Sequence, residues 1–341
     1  MIEKERVRIA DIAEELGVST ATVSNVIHGK TKKISDATVK RVQQLLEERE
    51  YIPSMAGILL AQNDSKIIGV IIHDHPKYEG HLLEDPFISS ALNFLSYEID
   101  KNGYFMMIKT TTEIQDIIRF ASMWNLSGMV LIGFCEQDYR NLRDRIRIPF
   151  VVYDGFFDVP GRICNIVINN FDGGYQVGRY FSELGHKKML CISDNDICMD
   201  LERYKGFQKA ALESGIGADF MVIPLDYESR QKFYKEHLGK LKEYTAIFAV
   251  SDFYAAELMQ FLMKQGLRVP DDISIAGFDD TPVCRQIVPG LTSVRQDCRL
   301  RAEKAVTILQ KLGNGEEEGT VITLPVERKI RSSTAECTKS K

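Results

Sequence analysis

No run of the 341-residue chain is apolar and long enough to span a bilayer, and its polar start, MIEKERVR, is not a secretory leader. A cytoplasmic protein is therefore expected. The seven cysteines, Cys135, Cys164, Cys191, Cys198, Cys284, Cys298 and Cys337, are odd in number and form no CxxC pair. That usage fits reduced, mostly buried thiols and argues against a disulfide frame or a zinc site. Also missing are a nucleophile elbow, a glycine-rich phosphate loop and carboxylates paired at a motif spacing, so nothing points to catalysis or to a cofactor. An excess of positive charge is absent too. Lysine and arginine total 43 against 48 aspartates and glutamates, a formal net charge of −5 that taken alone leans away from nucleic acid.

What is present begins at residues 7–29, VRIADIAEELGVSTATVSNVIHG. Ile9, Ile12, Ala13 and Leu16 fall on one stripe of a 3.6-residue period, which predicts a short helix with one buried face. Gly17 follows where the chain must reverse, and Ser19 stands where an N-cap acceptor is wanted. In the second helix Val23, Val26 and Ile27 form the inner stripe, leaving Thr20, Ala21, Ser24, Asn25 and His28 outward. A third helix opens on Ser35 and Asp36, runs through Val39, Val42, Leu45 and Leu46, and ends before Pro53. The outward set suits the major groove. An amide such as Asn25 offers acceptor and donor together, matching adenine N7 and N6; Ala21 can meet a thymine methyl, and Thr20 a base or a phosphate. Ser19 and Thr22 flank these readers. Charge distribution outweighs the total here. Residues 1–62 are formally neutral, yet Lys30, Lys32 and Lys33 cluster just past the second helix and Arg6 and Arg8 just before the first, where phosphates would lie. Few neutralised phosphates imply a shallow salt dependence and a need for two headpieces.

The stretch YIPSMAGILLAQ at 51–62 places Ile58, Leu59 and Leu60 side by side ahead of the polar connector Asn63, Asp64, Ser65. Such a segment needs cover, either from a second copy of itself or from base steps that it wedges apart from the minor groove. With that, the first 62 residues resemble the headpiece and hinge of the lactose-repressor (LacI/GalR) family of bacterial transcription regulators. The resemblance rests on DIAEELGVSTATVSNVI at 11–27 and continues through YIPSMAGILLA, where Leu60 matches the family's intercalating leucine. Gly57 and Ile58 depart from the alanine and polar residue usual there. Glycine costs about 1 kcal/mol against alanine in a helix, so this hinge is expected to fold on binding DNA.

From residue 66 onward, β-rich runs alternate with helical ones. Strands are predicted at 67–72, 104–109, 128–134, 150–154, 188–193, 220–225, 246–251 and 273–278, and helices at 88–101, 174–184, 203–213 and 254–264. That rhythm predicts parallel sheets with crossover helices, and so many strands suit two doubly wound lobes. Ligands of such folds bind at the carboxyl ends of strands, where connectivity reverses. The expected architecture is an all-α helix-turn-helix headpiece with a hinge helix at 1–62, then a two-lobed α/β module at 66–332. Lobe 1 is expected at about 66–166 and 295–322, lobe 2 at about 167–294 and 323–332, with a disordered tail at 333–341. This module also resembles the family's effector domain, which is similar to periplasmic binding proteins. The matching runs include IGVII at Ile68, DPF at Asp85, IPFVVYD at Ile148, RYKGF at Arg203, FAVSDFYAAELM at Phe248, GLRVPDDISIAGFDD at Gly266 and PGLTSVRQ at Pro289.

The resemblance and strand-end chemistry together suggest effector contacts. Asp252 would accept from sugar hydroxyls, Arg203 would donate a bidentate pair, Tyr227 would stack on an apolar ring face, and Asp154 and Phe87 would approach from the other lobe. Cys298 replaces an aromatic found near the cleft in several relatives, so the ligand's identity does not carry over. The loop HDHPKYEGHLLEDPF at 73–87 is longer than usual and holds His73, His75 and His81 among acids; no metal is expected, because the spacing is not that of a zinc site. No leucine heptad closes the chain, so the tetramer-forming tail of some relatives is not expected. The resemblance implies a homodimeric regulator, most simply a repressor, that reads a pseudo-palindromic operator under control of a small carbohydrate-like effector, without a membrane partner. The alternatives are a regulator gated by a protein partner and a soluble sugar-binding protein.

Overall fold

A computed structural model describes residues 7–52, 65–134, 136–157, 163–316 and 319–338. The chain divides into two compact units, Met1–Ser65 and Lys66–Lys341.

In the first unit α1 (Ile9–Leu16), α2 (Thr20–Ile27) and α3 (Asp36–Glu48) enclose one small core. Ile12, Ala13, Val23, Val26, Val42 and Leu45 are its buried members. Gly17 adopts φ +64°, a left-handed turn closed by the Val18 amide donating to the Ala13 carbonyl at 3.0 Å. Ser19 and Ser35 cap the next two helices, accepting from the amides of Thr22 at 3.1 Å and Thr38 at 3.3 Å. Arg49 on the last turn grips the Glu15 carboxylate at 2.8 and 2.9 Å, tying α1 to the end of α3.

The second unit holds two six-stranded sheets. Strands β1 (Ile67–His73), β2 (Phe105–Thr111), β3 (Gly128–Ile132), β4 (Phe150–Tyr153) and β5 (Asn165–Ile168) form the first lobe. The second contains β6 (Met189–Ser193), β7 (Ala218–Val222), β8 (Ala246–Ala249), β9 (Ser274–Asp279) and β10 (Thr292–Gln296). The chain then returns to add β11 (Val321–Leu324) beside β5, and crosses again to add β12 (Val326–Lys329) beside β10. All pairings are parallel except β10 with β12. Order reverses at β1 in one lobe and at β6 in the other, which sets the two carboxyl ends that face each other. β1 reads IIGVIIH and is buried along its first six residues, as a parallel strand covered on both faces must be.

Two helices of the second lobe, Asn170–Glu183 and Cys198–Glu213, pack backbone against backbone through Gly174, Gly178 and Gly206. Both begin four or five residues ahead of the predicted starts, because NFDG and CMDLE carry little apolar signal. The tail is a correction. Composition predicts disorder from residue 333, yet Ser333 is fully buried, donating its hydroxyl to the Ile275 carbonyl at 2.6 Å and its amide to that of Gly290 at 2.9 Å. Ser333 thereby satisfies backbone groups at the start of β9 and just before β10, and the Cys337 amide donates to the Leu184 carbonyl at 2.8 Å. No disulfide joins two of the described cysteines, and no His, Cys, Asp and Glu cluster among the described residues has metal-binding geometry.

Candidate functional site

The surface of α2 presents Thr20, Ala21 and Asn25 to solvent on one side, with Val23 and Val26 buried on the other. Ser19 and Thr22 serve the cap: the Ser19 oxygen accepts the Thr22 amide, and the two hydroxyls lie 2.9 Å apart. The exposed face of α2 is therefore Thr20, Ala21 and Asn25, with Ser19 and Thr22 holding the amino end of the helix. Leu60 and Arg6 lie outside the described residues.

In the second unit a cavity of about 780 Å³ opens where the carboxyl ends of β1 and β3 face those of β6 and β8. Asp85 caps the helix Pro86–Lys101, accepting the amides of Phe87 and Ile88 at 3.0 Å, and this sets Phe87 on the cavity wall. Asp154 follows β4 in a left-handed conformation, φ +70°, which non-glycine residues adopt only when surroundings impose it. Here the imposition is Arg301, fully buried, whose Nη2 donates to Asp154 at 2.8 Å. Its guanidinium also lies 4.7 Å from the Tyr153 ring centre, and its Nη1 donates to Gln296 at 2.9 Å. Gln296 in turn donates to Asp279 at 2.6 Å, so a hydrogen-bonded chain runs from one wall to the other through the crossover after β10.

On the second lobe Arg203 is immobilised. Its Nε donates to Asn170 at 2.8 Å and its Nη1 to the Val250 carbonyl at 2.7 Å, while the guanidinium stacks 3.9 Å above the Phe278 ring. Asp200 lies 3.6 Å away. Asp194 accepts the Tyr254 hydroxyl at 2.9 Å. Burial raises the pKa of both Asp200 and Asp279, and in each the Arg203 charge offsets only part of that rise.

Arg203, Asp154 and Phe87 thus share one cavity, but Asp252 and Tyr227 do not line it. Asp252 is fully buried behind the wall, where one carboxylate oxygen accepts the Thr281 amide at 2.7 Å and the other the Ser293 hydroxyl at 2.5 Å. It joins the helix Asp252–Lys264 to β9 and β10 and has no oxygen turned to a ligand. Tyr227 begins a new helix, since β7 ends at Val222, and its ring is half exposed; its amide faces the Glu79 carboxylate at 3.3 Å across the mouth. The residue missed is Asp279. It ends β9 in the run GFDD, and the strand-end rule that singled out Asp252 applies to it equally.

Burial pushes the Asp252 carboxyl up to about 6 despite hydrogen bonds from Ser293 and Thr281 that favour its charge. A carboxyl bound more tightly to its proton when folded stabilises the native state fully below its ordinary value of 3.8, and that contribution is lost as pH rises through about 6. Urea midpoints of the native protein should therefore carry a component that falls from about pH 4 to about pH 6, and Asp252→Asn should remove that component.

Comparison with known proteins agrees with this geometry. Residues 8–54 match the model for bacterial regulatory proteins of the lacI family, and residues 179–334 that for a periplasmic binding protein-like domain. The chain is 30% identical over 341 residues to the HTH-type transcriptional regulator MalR of Clostridium butyricum, covering 95% of this chain and 98% of that one. It is 29% identical over 336 residues to the HTH-type transcriptional repressor PurR of Vibrio atlanticus (strain LGP32), with the same coverage. Its fold matches the lac repressor dimer bound to operator and the anti-inducer ONPF with a TM-score of 0.84 at 24% identity, over 97% of this chain and 100% of that one. The complex of the regulator CelR with cellobiose matches with a TM-score of 0.70 at 23% identity, over 96% and 100%. The chain belongs to the lacI family of bacterial regulatory proteins: it is a DNA-binding transcriptional regulator and not an enzyme.

Proposed function

We propose that the protein is a cytoplasmic, homodimeric repressor whose grip on a pseudo-palindromic operator is set by a small carbohydrate-like effector bound between the lobes. The observation that supports this most is the composition of the cavity. Arg203 and Asp279 stand on one wall, Asp154 and Phe87 on the other, so a ligand that satisfies both walls must draw the lobes together. A ligand with different affinities for open and closed forms shifts their balance, and through the segment joining each lobe pair to its headpiece it shifts DNA affinity. Coupling of this kind is worth about 1–3 kcal/mol. Two-fold symmetry of the protein then requires a two-fold operator. Related folds hold cellobiose, ribose and D-xylulofuranose, which is support for a polyhydroxyl effector here.

Gel-shift titration of the full-length protein against duplexes selected from random sequence, with and without a sugar panel, tests this reading. Specific retardation altered by at least one sugar is expected; retardation with no response to any small molecule would favour gating by a protein partner. Leu60→Ala is expected to abolish specific retardation while leaving weak, salt-sensitive affinity for any duplex. Full operator affinity in that variant would remove the wedge from the account.

A further inference from the structure

The cavity is lined by more acidic side chains than basic ones. Asp85, Asp154, Asp194, Asp200 and Asp279 all line it, with Glu79 and Glu84 at its mouth. Among the described lining residues the permanent cations are Lys77 and Arg203. Arg301, behind the wall, is engaged by Asp154. Arg203 is partly engaged: its Nε and Nη1 are held by Asn170 and the Val250 carbonyl, and its charge is shared with Asp200 and Asp279. His75 adds little positive charge, because burial and the neighbouring Lys77 both hold it below the ordinary histidine value.

Lys77 shows what this field attracts. It belongs to the long loop after β1, and its side chain reaches into the cavity beside aspartates of both lobes. The surrounding protein atoms push its pKa down, yet Tyr78, Asp194, Asp200 and Asp85 outweigh them and hold the ammonium above the usual lysine value. The chain thus holds one of its own amines on the cavity lining, within the field of carboxylates from both lobes. The rings of Tyr78, Phe87, Phe253 and Tyr254 also line the cavity, and aromatic rings stabilise both a sugar ring and a cation; the Lys77 ammonium already lies 5.2 Å from the Tyr78 ring centre.

We propose that the cleft selects a hydroxyl-rich ligand bearing a positively charged amine, of the amino-sugar class, and rejects phosphorylated sugars. This rests on the effector reading above. A phosphate ester would bring two more negative charges into a cavity lined mostly by acids, where the one lining guanidinium, Arg203, already has its Nε and Nη1 engaged within the protein. An amine would take over the role of Lys77 beside Asp85, Asp194 and Asp200 while its hydroxyls pair with the remaining acceptors.

Isothermal titration calorimetry of the full-length protein tests this with three probes: the β-1,4-linked disaccharide of glucosamine, cellobiose, which puts hydroxyls where its amines stand, and glucosamine 6-phosphate. The amine disaccharide is expected to bind about tenfold or more tightly than cellobiose, with the gap closing as salt rises from about 50 to about 500 mM, and the phosphate to give no heat. Lys77→Met removes the internal competitor from a surface loop and should strengthen amine binding severalfold. Asp194→Asn should erase the preference for the amine. Phosphate binding, or weaker amine binding in Lys77→Met, would overturn the proposal. If cellobiose bound as tightly as the amine and altered DNA retardation, charge selection would fall and the effector reading would stand; if no sugar of any charge bound, both would fall.

Discussion

Gly206→Val is expected to unfold the second lobe, at a cost of more than about 3 kcal/mol in urea denaturation. The helices Asn170–Glu183 and Cys198–Glu213 touch through their main chains. A β-carbon at position 206 would overlap the Phe171 carbonyl oxygen, and one at 174 would overlap that of Arg203. Backbone oxygens cannot rotate aside as a side-chain tip can, so the helices would have to separate. Separation would also pull Arg203 from Asn170 and Val250, and with it one wall of the cavity. The comparison is Gly217→Ala, where a β-carbon meets nothing within 4 Å; that change should stay within about 0.5 kcal/mol of the native protein. Equal stability of Gly206→Val and Gly217→Ala would show that the helices are not in backbone contact.

How far the molecule could be read from its sequence depended on how many of an element's faces are buried. The headpiece was legible because each helix carries a single stripe: Ile12 and Ala13, Val23 and Val26, Val42 and Leu45 are the buried residues their periodicity marks. The central strands β1, β3, β4, β6 and β8 were legible as unbroken apolar runs covered on both sides. The strands at and beside the lobe crossovers were not. β5 and β11 are four residues each, β10 reads TSVRQ, and β12 reads VERK, so their hydrogen bonds rather than their hydropathy define them. At the cleft the limit was orientation. Asp252 and Asp279 are both carboxylates beside strand ends, but only tertiary packing decides that Asp252 turns back to Thr281 and Ser293 while Asp279 lines the cavity. The tail misled because serine and threonine score as polar although their hydroxyls can satisfy buried groups at the ends of strands.

Asn25→Ala is expected to cost about 1–3 kcal/mol per half-site at the operator, a loss of roughly 5- to 150-fold that doubles in free energy for a dimer engaging two half-sites. Asn25 is exposed on α2, and alanine is the better helix former, so the substitution leaves folding intact and the loss belongs to recognition. The base step that meets Asn25 should lose its preference while neighbouring positions keep theirs. Charge removal behaves differently. Alanine at Lys30, Lys32 and Lys33 should weaken specific and non-specific duplexes alike, and should reduce the slope of log affinity against log salt by about 0.9 for each phosphate that is no longer neutralised. Ser19→Ala separates the third contribution, since it removes the oxygen that accepts the Thr22 amide and should destabilise the headpiece by about 1 kcal/mol. Binding titrations of these variants on a selected operator and on unrelated DNA, each at several salt concentrations, distinguish base reading from phosphate attraction and from helix capping. If Asn25→Ala bound both duplexes more weakly by the same factor, the amide would be meeting the DNA backbone, and the reading of sequence would have to come from Thr20 and Ala21 alone.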